Sequence, residues 1–369
     1  MNSSDTREWL DNGCVVPLES QSAEPVVWVG WGDSRRAAEP EAGRLSVYAP
    51  DFFLDDAEPW RVYSCSSRIA IGELSRLLAA ECAGPLDEPL AWTEPDFSTF
   101  ERLFADLQRR IRAGDLKKAV PAVFSRARGG FSRVRLACTL RAALNAASDS
   151  PLNVYGFWND SEGMLGATPE LLFRYTGPRS ISTAAVAGTR PHAARSDSRL
   201  PLSDDPKEVE EHQFVVDGIR DAFRGMGSVR VGPTTELRLS NFSHLLAPVD
   251  VCFHSPQPFD AVVRALHPTP AVGGWPREAG MEWLAWMERE DEAAGIGQRD
   301  RFGAPFGAVT SDGDGVCWVA IRGMQWTHDT HGTELRLAAG CGVTGQSELH
   351  REWHELGIKL QAIRTALAV

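Results

Sequence analysis

Residues 301–345 read RFGAPFGAVTSDGDGVCWVAIRGMQWTHDTHGTELRLAAGCGVTG, and this stretch decides the fold class. Apolar runs rich in Val, Ala, Phe and Trp are separated by the turn formers of 311–315 and 328–332, the pattern of consecutive antiparallel strands. The turn Ser311-Asp312-Gly313-Asp314-Gly315 has the look of a calcium loop but lacks the later acidic ligands, so it reads as a hairpin turn. Downstream, residues 347–368 close the chain as a helix. Upstream, 207–223 reads as a long helix, preceded by a polar stretch over 191–206 that reads as an exposed loop. Residues 97–111 form an amphipathic helix, with Phe100, Leu103, Phe104, Leu107 and Ile111 at helical spacing and Gly114 as its stop. A strand follows over 118–124, where Pro121 predicts an edge or a bulge. Two more strands, 153–158 and 171–175, bracket a turn at 159–163, and the short β-like runs of residues 1–90 suggest a meandering sheet. Strands and helices in blocks, without strict βαβ alternation, predict an α+β fold with large antiparallel sheets.

Composition narrows the function. The chain has 369 residues, enough for one large domain or two and for a sizeable core without disulfide or metal staples. Fifty Asp and Glu against 38 Lys and Arg leave a net charge of −12, which disfavours nucleic acid and anionic membrane as partners. Only Lys117, Lys118, Lys207 and Lys359 are lysines, so each one draws notice. Seven scattered cysteines, with no CxxC pair, predict reduced thiols. With no signal peptide visible at the N-terminus and no apolar run of spanning length, the expectation is a soluble cytoplasmic protein.

Several residues could carry chemistry. Glu208 and Glu211 are three apart on one helix, as are Glu352 and Glu355 on another, so each helix can offer two carboxylates on one face. Converging, they would suit Mg²⁺, a hard cation that prefers oxygen ligands; otherwise they are solvated helix faces with local ion pairs. His350 and His354 resemble half a zinc site but lack a third ligand, and read as surface histidines. Glycine-rich turns at Gly188-Thr189, Gly273-Gly274 and Gly340-Cys341-Gly342 could aim backbone N–H groups at an anion, although strand turns need glycine too. A desolvated Lys118 could act as a base and a buried Glu170 as an acid, or both could be surface charges.

Ten segments then fall in order: LKKAVPAVFSR (116–126), GATPELLFR (166–174), AGTRP (187–191), KEVEEHQFVVDGI (207–219), NFSHL (241–245), LHPTPAVGGWP (266–276), RFGAPFGAV (301–309), VAIRGM (319–324), AAGCGVTGQS (338–347) and REWHELGIKL (351–360). In this register the chain resembles the chorismate-utilising enzymes: isochorismate synthases, salicylate synthases, and the synthase subunits for anthranilate and aminodeoxychorismate. The resemblance implies an α+β fold of two large antiparallel β-sheets packed with helices. It implies a single chorismate-binding domain over 1–369, with 1–92 its weakly characterised N-terminal part and 93–369 the motif-bearing core.

By position, the resemblance makes Glu211 and Glu355 ligands of Mg²⁺, with Glu208 and Glu352 in or next to that shell. Arg322 matches the arginine that grips the enolpyruvyl carboxylate, a task suited to a planar fork of donors. His267 falls at a ring-facing histidine, and Gly188, Thr189, Gly340 and Gly342 match turns that line the substrate carboxylates. Lys118 stands where water-using members carry a lysine and ammonia-using members a glutamine; Lys117 is the alternative base. Ala187 replaces the nucleophilic lysine of aminodeoxychorismate synthases. Phe302 replaces a common tyrosine, and Leu356 a common threonine. The implied activity is isochorismate synthase, with Lys118 as base and Glu170 as acid. Salicylate synthase is the runner-up, and an ammonia-using synthase is disfavoured. The resemblance further implies no obligatory glutaminase subunit, a monomer, and a product for menaquinone, a siderophore or another secondary metabolite.

Overall fold

The computed structural model describes residues 3–18, 25–148, 150–191, 201–238, 242–293 and 298–369. Among these, eight α-helices pack against a sixteen-stranded antiparallel sheet and a separate three-stranded one. The fold is α+β, as the block pattern predicts.

The order of the large sheet explains the cleft. One half runs from the edge strand Gly227–Val231 through Phe242–Phe253, Ser180–Pro191, Leu171–Gly177, Gly315–Val319 and Pro305–Val309. The other runs through Asn153–Trp158, Glu162–Thr168, Gly323–Asp329 and Gly332–Gly340 to Ala122–Gly129. The N-terminal strands Ser46–Tyr48, Trp60–Ala70, Val26–Ala37 and Gly13–Leu18 join the halves edge to edge, so the two expected sheets form one hydrogen-bonded path. The four N-terminal strands are thus the middle of the sheet.

Twice the chain steps directly from one half to the other. Glu162–Thr168 leads to Leu171–Gly177 through Pro169 and Glu170, and Gly315–Val319 leads to Gly323–Asp329 through residues 320–322. Each step joins strands eight places apart in the sheet, which must therefore curl back on itself. The two crossings are tied together: Val319 N donates to Glu170 O (2.9 Å), Thr168 Oγ1 to Val319 O (2.8 Å) and Ala167 N to Arg322 O (3.1 Å). Glu170 and Arg322 become neighbours because backbone hydrogen bonds bring these two links together.

The helix Phe97–Ala113 forms as its spacing predicts, with Phe100, Leu103, Phe104 and Leu107 buried. Asp96 caps it by accepting from Thr99 N (2.9 Å), and Gly114, at φ 85°, ends it in the left-handed conformation that glycine adopts without strain. Pro121 marks a change of sheet. Lys118–Ala119 pairs with Gly274–Trp275 and Val343–Thr344 in the small sheet, while Ala122–Gly129 becomes the edge of the large one. The turn at 311–315 is the hairpin turn expected, with Gly313 at φ 85°. The expected loop over 191–206 falls largely on 192–200, outside the described residues. Among the described residues no helix is long and apolar enough to cross a membrane.

Candidate active site

Two helices bring acid into the core. On Pro206–Ala222 the buried stripe is Glu208, Glu211, His212, Val215, Val216 and Ile219; on Leu349–Leu367 it is Glu352, Glu355, Leu356, Leu360, Ile363 and Leu367. Both stripes keep the i, i+3, i+4 period, and both are apolar towards the C-terminus but carry two carboxylates near the N-terminus. A helix N-terminus favours negative charge, which partly offsets the burial of these groups. Leu356 packs as an ordinary core residue.

Three lysines face the four glutamates. Lys118 is fully buried and its Nζ donates to Glu211 Oε1 at 2.8 Å. Lys359 Nζ lies 2.6 Å from Glu355 Oε1 and donates to Gly340 O at 2.8 Å. Lys207 Nζ lies 3.5 Å from Glu208 Oε1 and 3.1 Å from Glu352 Oε1. Glu208 also accepts from Thr189 N (2.7 Å) and from Arg351 (3.2 Å). Lys117 is exposed, which leaves Lys118 as the lysine that reaches the cluster.

Electrostatics separates the carboxyl groups. Burial pushes Glu208 up to about 7 in spite of Lys207, and burial also raises Glu352. Glu211 is lowered: burial acts to raise it, but Lys118, Lys207 and Lys359 together outweigh that effect. At Glu170, burial wins over Lys118, Lys359 and Arg322 and raises the carboxyl to about 7.

Beside the cluster opens a cleft of about 730 Å³, counting the open space at its mouth. Glu170, Thr189, Glu211, Arg322, Gly340, Gly342 and Lys359 line it, with Ala187, His244 and Phe302. Lys118 lies directly behind Gly342: a Cβ there would overlap Glu211 Oε1 and sit 2.8 Å from Lys118 Cε. Only glycine lets the backbone pass over that ion pair. Arg322, at φ 59°, holds a left-handed conformation that costs a non-glycine residue about 1–2 kcal/mol. Such strain at a crossing, in a cleft, marks a position fixed for a purpose. Burial lowers its guanidinium to about 10, against Glu355 and Glu170. Buried Arg299 braces the opposite wall by donating to the carbonyls of Val120 and Val272 (3.1 Å to Val272 O).

Two of the expected substrate-binding residues, His267 and Gly188, are not among the residues that line the cleft. His267 lies outside the cleft: it caps the helix Phe259–Leu266, its Nε2 is 2.7 Å from Phe52 O, and its ring packs edge-on against Phe52. Ala271 and Val272 of the same segment do reach the cleft. The histidine of the cleft is His244, whose Nδ1 is 3.1 Å from Thr189 Oγ1; burial lowers it to about 3, so it is neutral at physiological pH. Gly188 does not line the cleft either. It is a bulge at φ 71° between the pairs Ala187↔Leu245 and Thr189↔His244, and a Cβ there would meet Glu208 O at 2.7 Å. The bulge aims Thr189 N at Glu208 rather than at open space. His350 and His354 are exposed, as read from the sequence. His244 sits within NFSHL, and the scarcity of lysine points to Lys207 and Lys359; these were the signals available for the residues missed.

Among the described residues no three His, Cys, Asp or Glu side chains are gathered into a ready metal shell. The donor chemistry nevertheless fits a hard divalent cation: four buried carboxylates, and at Glu352 a buried Oε1 without a hydrogen-bond donor although Lys207 Nζ is near.

A curled sheet with acid, lysine and arginine groups converging between its halves defines an enzyme cleft for a small anionic substrate. A family model described as chorismate binding enzyme matches residues 73–368, and the chain belongs to that family. It is 30% identical over 350 residues to a salicylate biosynthesis isochorismate synthase of Pseudomonas aeruginosa, covering 84% of this chain and 71% of that protein. It is 30% identical over 280 residues to an anthranilate synthase component 1 of Aeropyrum pernix, covering 73% of this chain and 60% of that one. The chain thus spans between half and three quarters of the length of these relatives. In fold it is similar to MenF, the menaquinone-specific isochorismate synthase from Escherichia coli, with a TM-score of 0.75 at 19% identity, covering 99% of this chain and 90% of the other.

Proposed function

We propose that the chain is an isochorismate synthase, converting chorismate to isochorismate by adding water at C2 of the ring and expelling the C4 hydroxyl. The observation that carries this reading is a buried lysine behind one wall of the cleft and a glutamic acid of pKa about 7 lining it. Lys118 takes a proton from water as its oxygen bonds to C2, the ring double bonds shift, and Glu170 gives its proton to the departing C4 oxygen. One water enters and one leaves, so atoms balance. An acid and a base placed in this way each contribute roughly 10²–10⁴-fold.

Arg322 offers its planar fork to the enolpyruvyl carboxylate, and Thr189, Gly340 and Gly342 shape the wall on which the ring carboxylate sits. Glu211 and Glu355, with Glu208 and Glu352 in or next to the shell, would hold Mg²⁺, which when bound supplies positive charge to the ring carboxylate. Ala187 lines the cleft, so no amine stands at that position to replace water. His244, neutral and held by Thr189, presents a ring to the cleft without charge. The chain works as one domain, a cytoplasmic monomer, without a glutaminase subunit.

The test is turnover of chorismate in ¹⁸O-labelled water. One label in the product hydroxyl, lost together with activity in Lys118→Ala, is the expected result. Unlabelled isochorismate, or a Lys118→Ala variant with full activity, would overturn the mechanism.

A further inference from the structure

Three of the chain's four lysines stand on the acidic cluster, but they are not equivalent. Lys118 and Lys359 each approach one glutamate, and Lys359 also holds a carbonyl of the cleft wall. Lys207 is different. It leaves the first turn of Pro206–Ala222 and places its Nζ between the helices, 3.5 Å from Glu208 on its own helix and 3.1 Å from Glu352 on the other. Its side chain is 8% exposed, and it is not among the residues lining the cleft. A buried charge persists only with partners of opposite sign, and four carboxylates need cations to stay ionised side by side.

We propose that Lys207 is the resident counter-cation of the carboxylate cluster, which competes with the divalent cation and keeps its affinity low. This rests on reading these glutamates as the Mg²⁺ site. An ion that binds Glu208 or Glu352 must share their oxygens with an ammonium a few ångströms away, and like charges at that range in a buried site repel strongly. Lys207 is thus a positioning residue. It keeps the shell folded when no metal is bound, and its charge opposes metal binding.

The experiment compares the full chain with Lys207→Met, which keeps length and removes charge, Lys207→Gln, and Lys207→Arg, which keeps charge. Mn²⁺ affinity is read from water-proton relaxation without substrate, and Tm is measured with and without MgCl₂. The neutral variants are expected to bind Mn²⁺ at least about tenfold more tightly than wild type, and their Tm, lowered without metal, recovers in MgCl₂ because a ligand that binds only the folded state stabilises it. Lys207→Arg stays near wild type in both. Equal or weaker Mn²⁺ binding in the neutral variants, no binding by any protein, or a lost Tm that MgCl₂ does not restore would each overturn the proposal. Chorismate turnover by wild type is measured in parallel. Its absence would count against the proposed function, while the affinity comparison would still decide the role of Lys207.

Discussion

Glu170 carries the plainest pH signature. Burial holds its carboxyl at about 7 against an ordinary 4.5, so it is the protonated acid below neutrality and loses its proton above. The expected kcat/KM profile therefore carries a titration near 7 that belongs to this acid, and a profile without a change of slope between pH 6 and 8 would contradict the assignment. The same shift affects stability. Between about 4.5 and 7 the folded state binds more protons than the unfolded chain, so this group stabilises the fold at low pH and that stability is lost as pH rises through 7. Glu170→Gln, which cannot ionise, should abolish turnover, yet gain on wild type by up to about 3 kcal/mol between pH 4 and pH 8 in urea unfolding. Equal pH dependence of the two proteins would refute the shift. At Gly342 the space is already taken by the Lys118–Glu211 pair, so Gly342→Ala should displace it and lower turnover on the order of 10²-fold. Full activity would mean that the pair does not need its present place. At this scale Lys118 and Glu170 were legible as residue types in motifs. Two histidines lie in neighbouring motifs, and only tertiary structure shows that the ring of His267 is held by Phe52 O while His244 lines the cleft.

The two acidic helices show what an element's pattern can and cannot tell. An i, i+3 pair fixes a shared face, but whether that face meets solvent or core depends on the rest of the stripe, and here Val215, Val216 and Ile219 turn it inwards. Asp205 caps the first of these helices by accepting from Lys207 N (3.2 Å), with Pro206 at the first position. Asp205→Ala should cost about 1 kcal/mol, read from the urea midpoint; an unchanged midpoint would show the cap to be idle. Other elements left little trace. The helix Arg133–Ser148 is buried at Leu136, Ala137, Thr139, Leu140, Ala143, Leu144 and Ala147, so neighbours on several sides erase a single stripe. Glu162–Thr168 and Gly315–Val319 are buried on both faces and lack the alternation that marks a half-exposed strand. Ser180–Pro191 runs straight through Gly188-Thr189, which reads as a turn because a glycine bulge and a turn share the same residue types.

Across the whole molecule, antiparallel strands could be read from local runs, but their order in the sheet could not. Nothing local in Pro169-Glu170 or Ala320-Ile321-Arg322 shows that each links strands eight places apart. Yet this topology places acid and arginine together, while the N-terminal strands, nearly silent in sequence, close the sheet around them. Of the chain's 38 Lys and Arg residues, Arg322 and Lys359 line the cleft. The most direct test is to incubate the purified chain with chorismate and Mg²⁺, with and without ammonium, and to separate the products by chromatography. The account predicts isochorismate approaching equilibrium with chorismate, indifferent to ammonium and abolished by chelator. Salicylate with stoichiometric pyruvate, or an amino-substituted product that requires ammonium, would contradict it.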